Sequence, residues 1–318
     1  MKQIVAKALL AILALALLVG CEDRVVFNEE GVGLVVVDAQ LIVDRPLPAI
    51  RVSRSLSPRE PITPASAGER DAEVWVEDED GTRVFYSGDR RRPGELLVPA
   101  GRYLPVDDEV LVRPDTRYDL FVRTALGEEV RATTTTPPAF EVEEWVALDF
   151  DLNVIETLRD FDDVGDSVYT VSTNRLRWGD SLLEARFARD PRVSAYQVAL
   201  FSLDRGSDFA IEPDFFEEED FAELEREGSS PMFEASEGTI RLPWFAVFFE
   251  GRYLIKVYST DSNWNDFVNT TPSLSGGPGF GGNAGDGFDR PIFHVEGGIG
   301  LFGSAAVDSI GFFVLDDD

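Results

Sequence analysis

The chain has 318 residues, with 59 acidic against 29 basic side chains, a formal net charge of −30 and a single cysteine. That charge repels nucleic acid and anionic lipid headgroups, so neither is an expected partner of the body. One cysteine excludes an internal disulfide and a cysteine-rich zinc site, so the mature chain must be held by its own apolar core.

Lys2 and Lys7 precede an apolar run, Ala8–Leu18, which has the length of a signal-peptide core and is short for a membrane span. The run ends in Leu18-Val19-Gly20-Cys21, a lipobox in which a small residue stands before the cysteine that receives lipid. Residues 1–20 therefore read as a cleaved signal peptide, Cys21 as the acylated residue and 21–32 as a tether; an ordinary secretory signal with an incidental cysteine is the alternative. Acyl chains contribute about 0.8 kcal/mol per buried methylene, so membrane lipid held through Cys21 needs no transmembrane helix. The expected location is the cell envelope.

Downstream, Gly33–Val43 and Ile50–Ser53 are β-branched runs separated by Pro46 and Pro48, and Ala72–Val76 and Arg83–Tyr86 flank a hairpin signal at Asp80-Gly81. Arg117–Arg123 and Val130–Thr136 follow, ending at Pro137-Pro138. Short strands without helical periodicity between them indicate a sandwich, and the proline pair marks a domain boundary. The N-terminal domain is expected over 33–137.

Phe140 to Val154 keep a two-residue period that reads as one half-buried strand with Asp149, Asp151 and Asn153 on its outer face. Asn174–Trp178 and Leu182–Phe187 read as a strand pair around Gly179-Asp180, followed by strands Ala195–Leu203 and Arg252–Ser259. Between the last two, Pro213–Gly228 has Phe216, Phe221 and Leu224 on one side and reads as a short acidic amphipathic helix. Ser275–Gly287 is a glycine-rich loop before final strands at Pro291–Val295 and Ser309–Val314. The fold class is mainly β: two tandem immunoglobulin- or fibronectin-like sandwiches, the second over 138–271 with the acidic insertion, completed by 272–318.

Chemistry is sparse. His294 is the only histidine, so a serine–histidine–aspartate triad must use it and a multi-histidine metal site cannot form; its place in the apolar alternation PIFHVEG reads as structural. Asp149, Asp151, Asn153 and Asp160 stand at the first, third, fifth and twelfth positions of a hand-type calcium loop, but Val154 replaces the turning glycine. Asp261, Asn263, Trp264, Asn265 and Asp266 form an oxygen-rich turn with an exposed tryptophan, fit to hold calcium or stack on a sugar or peptide, or simply an Asx-rich loop. No catalytic residue is assigned, and the body is expected to be non-enzymatic. Paired carboxylates of a glycan-active enzyme are one alternative; a purely structural envelope protein is another.

The lipobox, the segment VVVDAQLIVDRPLPAIRVSRS, the hairpin AEVWVEDEDGTRVFY, the segment GRYLIKVYSTDSNWNDF and the ending PIFHVEGGIGLFGSAAVDS together resemble a family of diderm lipoproteins known as domain of unknown function 4249. His294 and Gly297 depart from the asparagine-rich form of that ending. The resemblance carries over no catalytic residue. It implies an outer-membrane lipoprotein that accompanies a TonB-dependent receptor. Gly297–Gly303 themselves predict a strand that bulges or packs closely against a neighbouring backbone, with Phe302 in the core.

Overall fold

The computed structural model describes residues 31–57, 59–159, 174–177, 182–204, 226–234, 237–242, 247–270 and 291–315. The lipobox, Asp160, the glycine-rich loop and most of the acidic insertion lie outside them. The fold is mainly β, as the alternation predicts, with strands in two sheets of thirteen and four.

The first sandwich is built from β1 (Val35–Ile42), β2 (Ile50–Arg54), β3 (Glu73–Asp78), β4 (Arg83–Ser87), β5 (Arg102–Pro105), β6 (Arg117–Arg123) and β7 (Glu129–Thr135), with one helical turn, α1 (Pro64–Ala67), between β2 and β3. Alternation places Val35, Val37, Ala39 and Leu41 of β1 against Val74, Val76, Leu120, Val122 and Val130 of the facing layer. The short strand β5 turns the corner between layers, because Tyr103 pairs with Ile50 of β2 while Pro105 pairs with Tyr86 of β4.

The second sandwich uses β8 (Glu144–Leu148), β9 (Val154–Thr157), β10 (Arg175–Arg177), β11 (Leu182–Arg186), β12 (Ala195–Ser202), β13 (Glu227–Ser229), β14 (Thr239–Leu242) and β15 (Gly251–Thr260). A helix, α2 (Ser262–Thr270), and the strands β16 (Val295–Glu296) and β17 (Ile299–Leu315) follow. The small sheet β14-β11-β8-β9 faces β12, β15 and the far half of β17 across a core that includes Trp145, Phe187, Tyr196, Tyr253 and Phe312.

Four expectations about elements are corrected. The run from Phe140 to Val154 is a hairpin, because Leu152 takes a left-handed conformation (φ 65°) and Asp149 N–H donates to Asn153 O at 2.9 Å. The segments at 175–177 and 182–186 do not pair with each other: β10 lies parallel to β17, and β11 runs between β8 and β14. Residues 227 and 228, read as the end of the acidic helix, belong to strand β13, which pairs with β12. The last strand begins ten residues before Ser309, at Ile299, and the segment 272–318 does not complete the second sandwich alone.

That last strand ties the molecule together. Residues 299–305 of β17 run parallel to 36–42 of β1, and residues 305–314 pair antiparallel with 260–251 of β15. Phe302 is therefore in the first core while Ile310, Phe312 and Val314 are in the second. At about 3.3 Å per residue the strand extends about 50 Å, which sets the sandwiches end to end along one axis.

Glycine is demanded at the entry to β17. Gly300 has φ +116°, and a Cβ there would lie 2.0 Å from Val37 O; at Gly297 (φ +75°) it would lie 2.2 Å from Glu129 O. The close approach expected of the glycine run is thus a parallel β1–β17 contact with no space for a side chain. Gly300→Ala should destabilise by about 3 kcal/mol or more, since left-handed strain adds to a backbone clash. Gly127→Ala, also at positive φ (+83°) but with nothing within 4 Å, should cost only about 1–2 kcal/mol. Urea unfolding of both variants checks this, and equal losses would contradict the packing argument.

Candidate functional site

The oxygen-rich segment Asp261–Asp266 is not an exposed turn. Asp261 follows β15 and caps α2: its Oδ1 accepts from Trp264 N–H at 3.0 Å, satisfying a donor of the first helical turn. Its Oδ2 accepts from Thr134 Oγ1 of β7, and Thr134 Oγ1 lies 2.8 Å from Ser304 Oγ of β17. Asn263 Nδ2 donates to Thr133 O at 2.7 Å and to Phe302 O at 2.9 Å. One residue stretch thus binds the first sandwich, the shared strand and the helix into one polar joint.

Asp261 and Asn263 are each 8% exposed and Trp264 7%. The Trp264 indole packs on Tyr258, with ring centroids 5.7 Å apart, and its N–H donates to Gln197 Oε1 at 3.2 Å. The expected exposed tryptophan is therefore a core residue and has no face to offer a sugar. The alternation of β15 ends in a buried Thr260-Asp261, a placement local sequence could not reveal because the covering strands come from residues 133–134 and 302–304.

Beyond the joint, Asp266 and Asn265 lie half-buried on the helix flank. Asp266 Oδ2 is 2.7 Å from His294 Nε2, and the exposed His294 ring lines a groove of about 550 Å³. The outward phase of β6 and β7 supplies the groove's Arg117, Asp119, Phe121, Arg131 and Thr133, and the segment before β17 closes it with Phe293, His294 and Glu296. Thr133 Oγ1 donates to Asp119 Oδ1, so the one hydroxyl of this lining is engaged away from the histidine. The arrangement offers two guanidiniums, two phenyl rings and an imidazole–carboxylate pair, which suits a mixed apolar and acidic ligand or partner segment. The alternation of β6 and β7 signalled outward side chains; their meeting with His294 was invisible because more than 160 residues separate them.

Of the candidate calcium residues, three are described. Asp149 and Asn153 close the β8–β9 turn, with Asn153 N–H donating to Asp149 Oδ1 at 2.8 Å and Asn153 Nδ2 to Asp149 Oδ2 at 2.9 Å. These bonds hold the Asp149 carboxyl below its ordinary value. Asp151 is exposed at the turn, while Asp160, like Cys21 and its lipobox, lies outside the described residues.

Burial raises the Asp261 carboxyl above the ordinary value of 3.8, against hydrogen bonds that lower it. A folded value above the unfolded one means the native state holds the proton more tightly. Its contribution is fully present below 3.8 and is lost as pH rises through the folded value. Asp261→Asn should therefore keep the cap and flatten that part of the stability–pH curve. Asp261→Ala, which removes the cap and the carboxylate that accepts from Thr134, should cost about 2–3 kcal/mol. Denaturant unfolding from mildly acidic to neutral pH separates the two; a curve unchanged in the Asn variant would remove Asp261 as its source.

Over residues 23–310 the chain matches a family described as a domain of unknown function, DUF4249. No curated protein matches it. The matched span takes in both sandwiches, the polar joint and the groove, and the chain belongs to the DUF4249 family.

Proposed function

We propose that the protein is a non-enzymatic, lipid-anchored component of the cell envelope that accompanies a TonB-dependent outer-membrane receptor. The observation that carries the reading is the lipobox Leu18-Val19-Gly20-Cys21 directly ahead of a body matched by the family from residue 23. An elongated pair of sandwiches on a short tether is suited to presenting surfaces to a membrane-embedded neighbour. The groove of Arg117, Phe121, Arg131, Phe293 and His294 is a concave surface that such a neighbour could enter.

Two measurements test separate parts of this reading. Cells fed labelled palmitate should incorporate it into the wild-type protein and not into Cys21→Ser; label in both would place the acyl group elsewhere. The native protein, purified from detergent-solubilised envelopes, should bring down a TonB-dependent receptor in stoichiometric amounts. Truncating the exposed groove with Phe293→Ala and Arg131→Ala should reduce that recovery. Purification of the protein alone would count against the receptor reading and leave the anchor intact.

A further inference from the structure

The most exposed apolar side chains of the described residues are concentrated at one end of the molecule. Leu96 (88% exposed), Ile62 (83%), Leu97 (81%) and Leu126 (77%) exceed every other large hydrophobic residue in exposure. They lie on three different connections: β2 to β3, β4 to β5, and β6 to β7. The antiparallel registers Val35↔Arg54, Glu73↔Arg123, Ser87↔Leu104 and Arg123↔Glu129 bring all three connections to the pole where β1 begins. Arg54 ties two of them to the entry of the chain, donating to Glu69 at 2.6 Å, to Gly33 O at 3.0 Å and to Glu128.

This is also where the chain arrives from its lipid attachment point. Gly31 follows Cys21 by ten residues, a reach of at most about 35 Å, and Val32 and Leu34 at the entry are exposed as well. The shared strand β17 carries the second sandwich away from this pole, so the apolar tips are the part of the body nearest the anchor. Arg91 and Arg92 are exposed on the same connection as Leu96 and Leu97, which holds three arginines against two acids in a chain of net charge −30. Isolated leucine tips on separate loops, beside arginines, fit an interface of acyl chains and headgroups better than the continuous complementary patch a protein partner requires.

We infer that this pole is a lipid-facing surface: Ile62, Leu96, Leu97 and Leu126 rest in the interfacial layer of the bilayer and hold the body upright on it. The inference rests on the lipid-anchored reading above, and its test supplies the anchor artificially. The chain from Glu22 onward, with an N-terminal hexahistidine tag, is tethered to phosphatidylcholine vesicles containing a nickel-chelating lipid. Bimane is attached at Leu97→Cys, Leu126→Cys or Phe150→Cys, one site at a time. Phe150, also exposed, sits at the tip of the β8–β9 hairpin in the second sandwich. Labels at 97 and 126 should shift to the blue, be quenched by doxyl-labelled lipid and lose most of their quenching by aqueous iodide, while the label at 150 stays unchanged. If all three labels remain as in free solution, or respond equally, the lipid-facing pole is wrong. Because the tether is a metal chelate, that outcome is independent of whether Cys21 is acylated, which palmitate labelling reads directly.

Discussion

The structure depends on one shared strand. A β-strand has two hydrogen-bonding edges, and β17 gives both away over its length: residues 299–305 to β1 and residues 305–314 to β15. The two sandwiches thereby share a single hydrogen-bonded sheet of thirteen strands, against which the four-stranded sheet of the second packs. The parallel pairing with β1 requires the ends of the chain to meet, because Val36 faces Ile299 across most of the sequence. Closure of so long a loop carries an entropic cost that burial on both sides of the last strand offsets. Phe302 and Phe312, each 1% exposed in separate cores, provide it.

Where the strand passes from one sandwich to the other, the core becomes polar. Thr134, Ser304, Asp261 and Asn263 replace the aliphatic side chains found on either side, and each finds a partner. Buried polar groups contribute little net stability, but an unmatched one costs about 1–3 kcal/mol, so such a network permits only one registration of the parts. The joint thereby fixes the angle between the sandwiches and the start of α2 together. The same helix carries Asp266 to His294, so the geometry of the groove follows from the geometry of the joint.

The strong acidity is handled locally by arginine. Glu184, with its side chain 3% exposed, is held between Arg186 and Arg241 on the outer face of the small sheet, while Arg113 bridges Asp78 and Asp80 at the first hairpin. A planar guanidinium can serve two carboxylates at once, which suits a chain with about twice as many acids as bases. Exposed pairs such as Arg113–Asp80 add little each, so they organise the surface more than they stabilise it. The uncompensated acids remain a solvated, mutually repelling coat on which the leucine tips of the entry pole stand out.

The strands of the first sandwich were legible from the sequence because each side chain's face is decided locally: in VVVDAQLI and RYDLFVR a period of two separates core from solvent. The glycine run near the end announced a close backbone approach, as only a missing Cβ permits one. Which backbone approached was beyond it. The partners of Gly300, Asp261 and His294 lie at residues 37, 134 and 266, and segments such as DSNWND read as polar turns until a distant strand covers them. Residue type and spacing thus determined the kind of elements; tertiary structure alone decided which polar groups are buried, which aromatic rings remain exposed and where a groove forms, because burial depends on what folds over a residue and not on what precedes it in the chain.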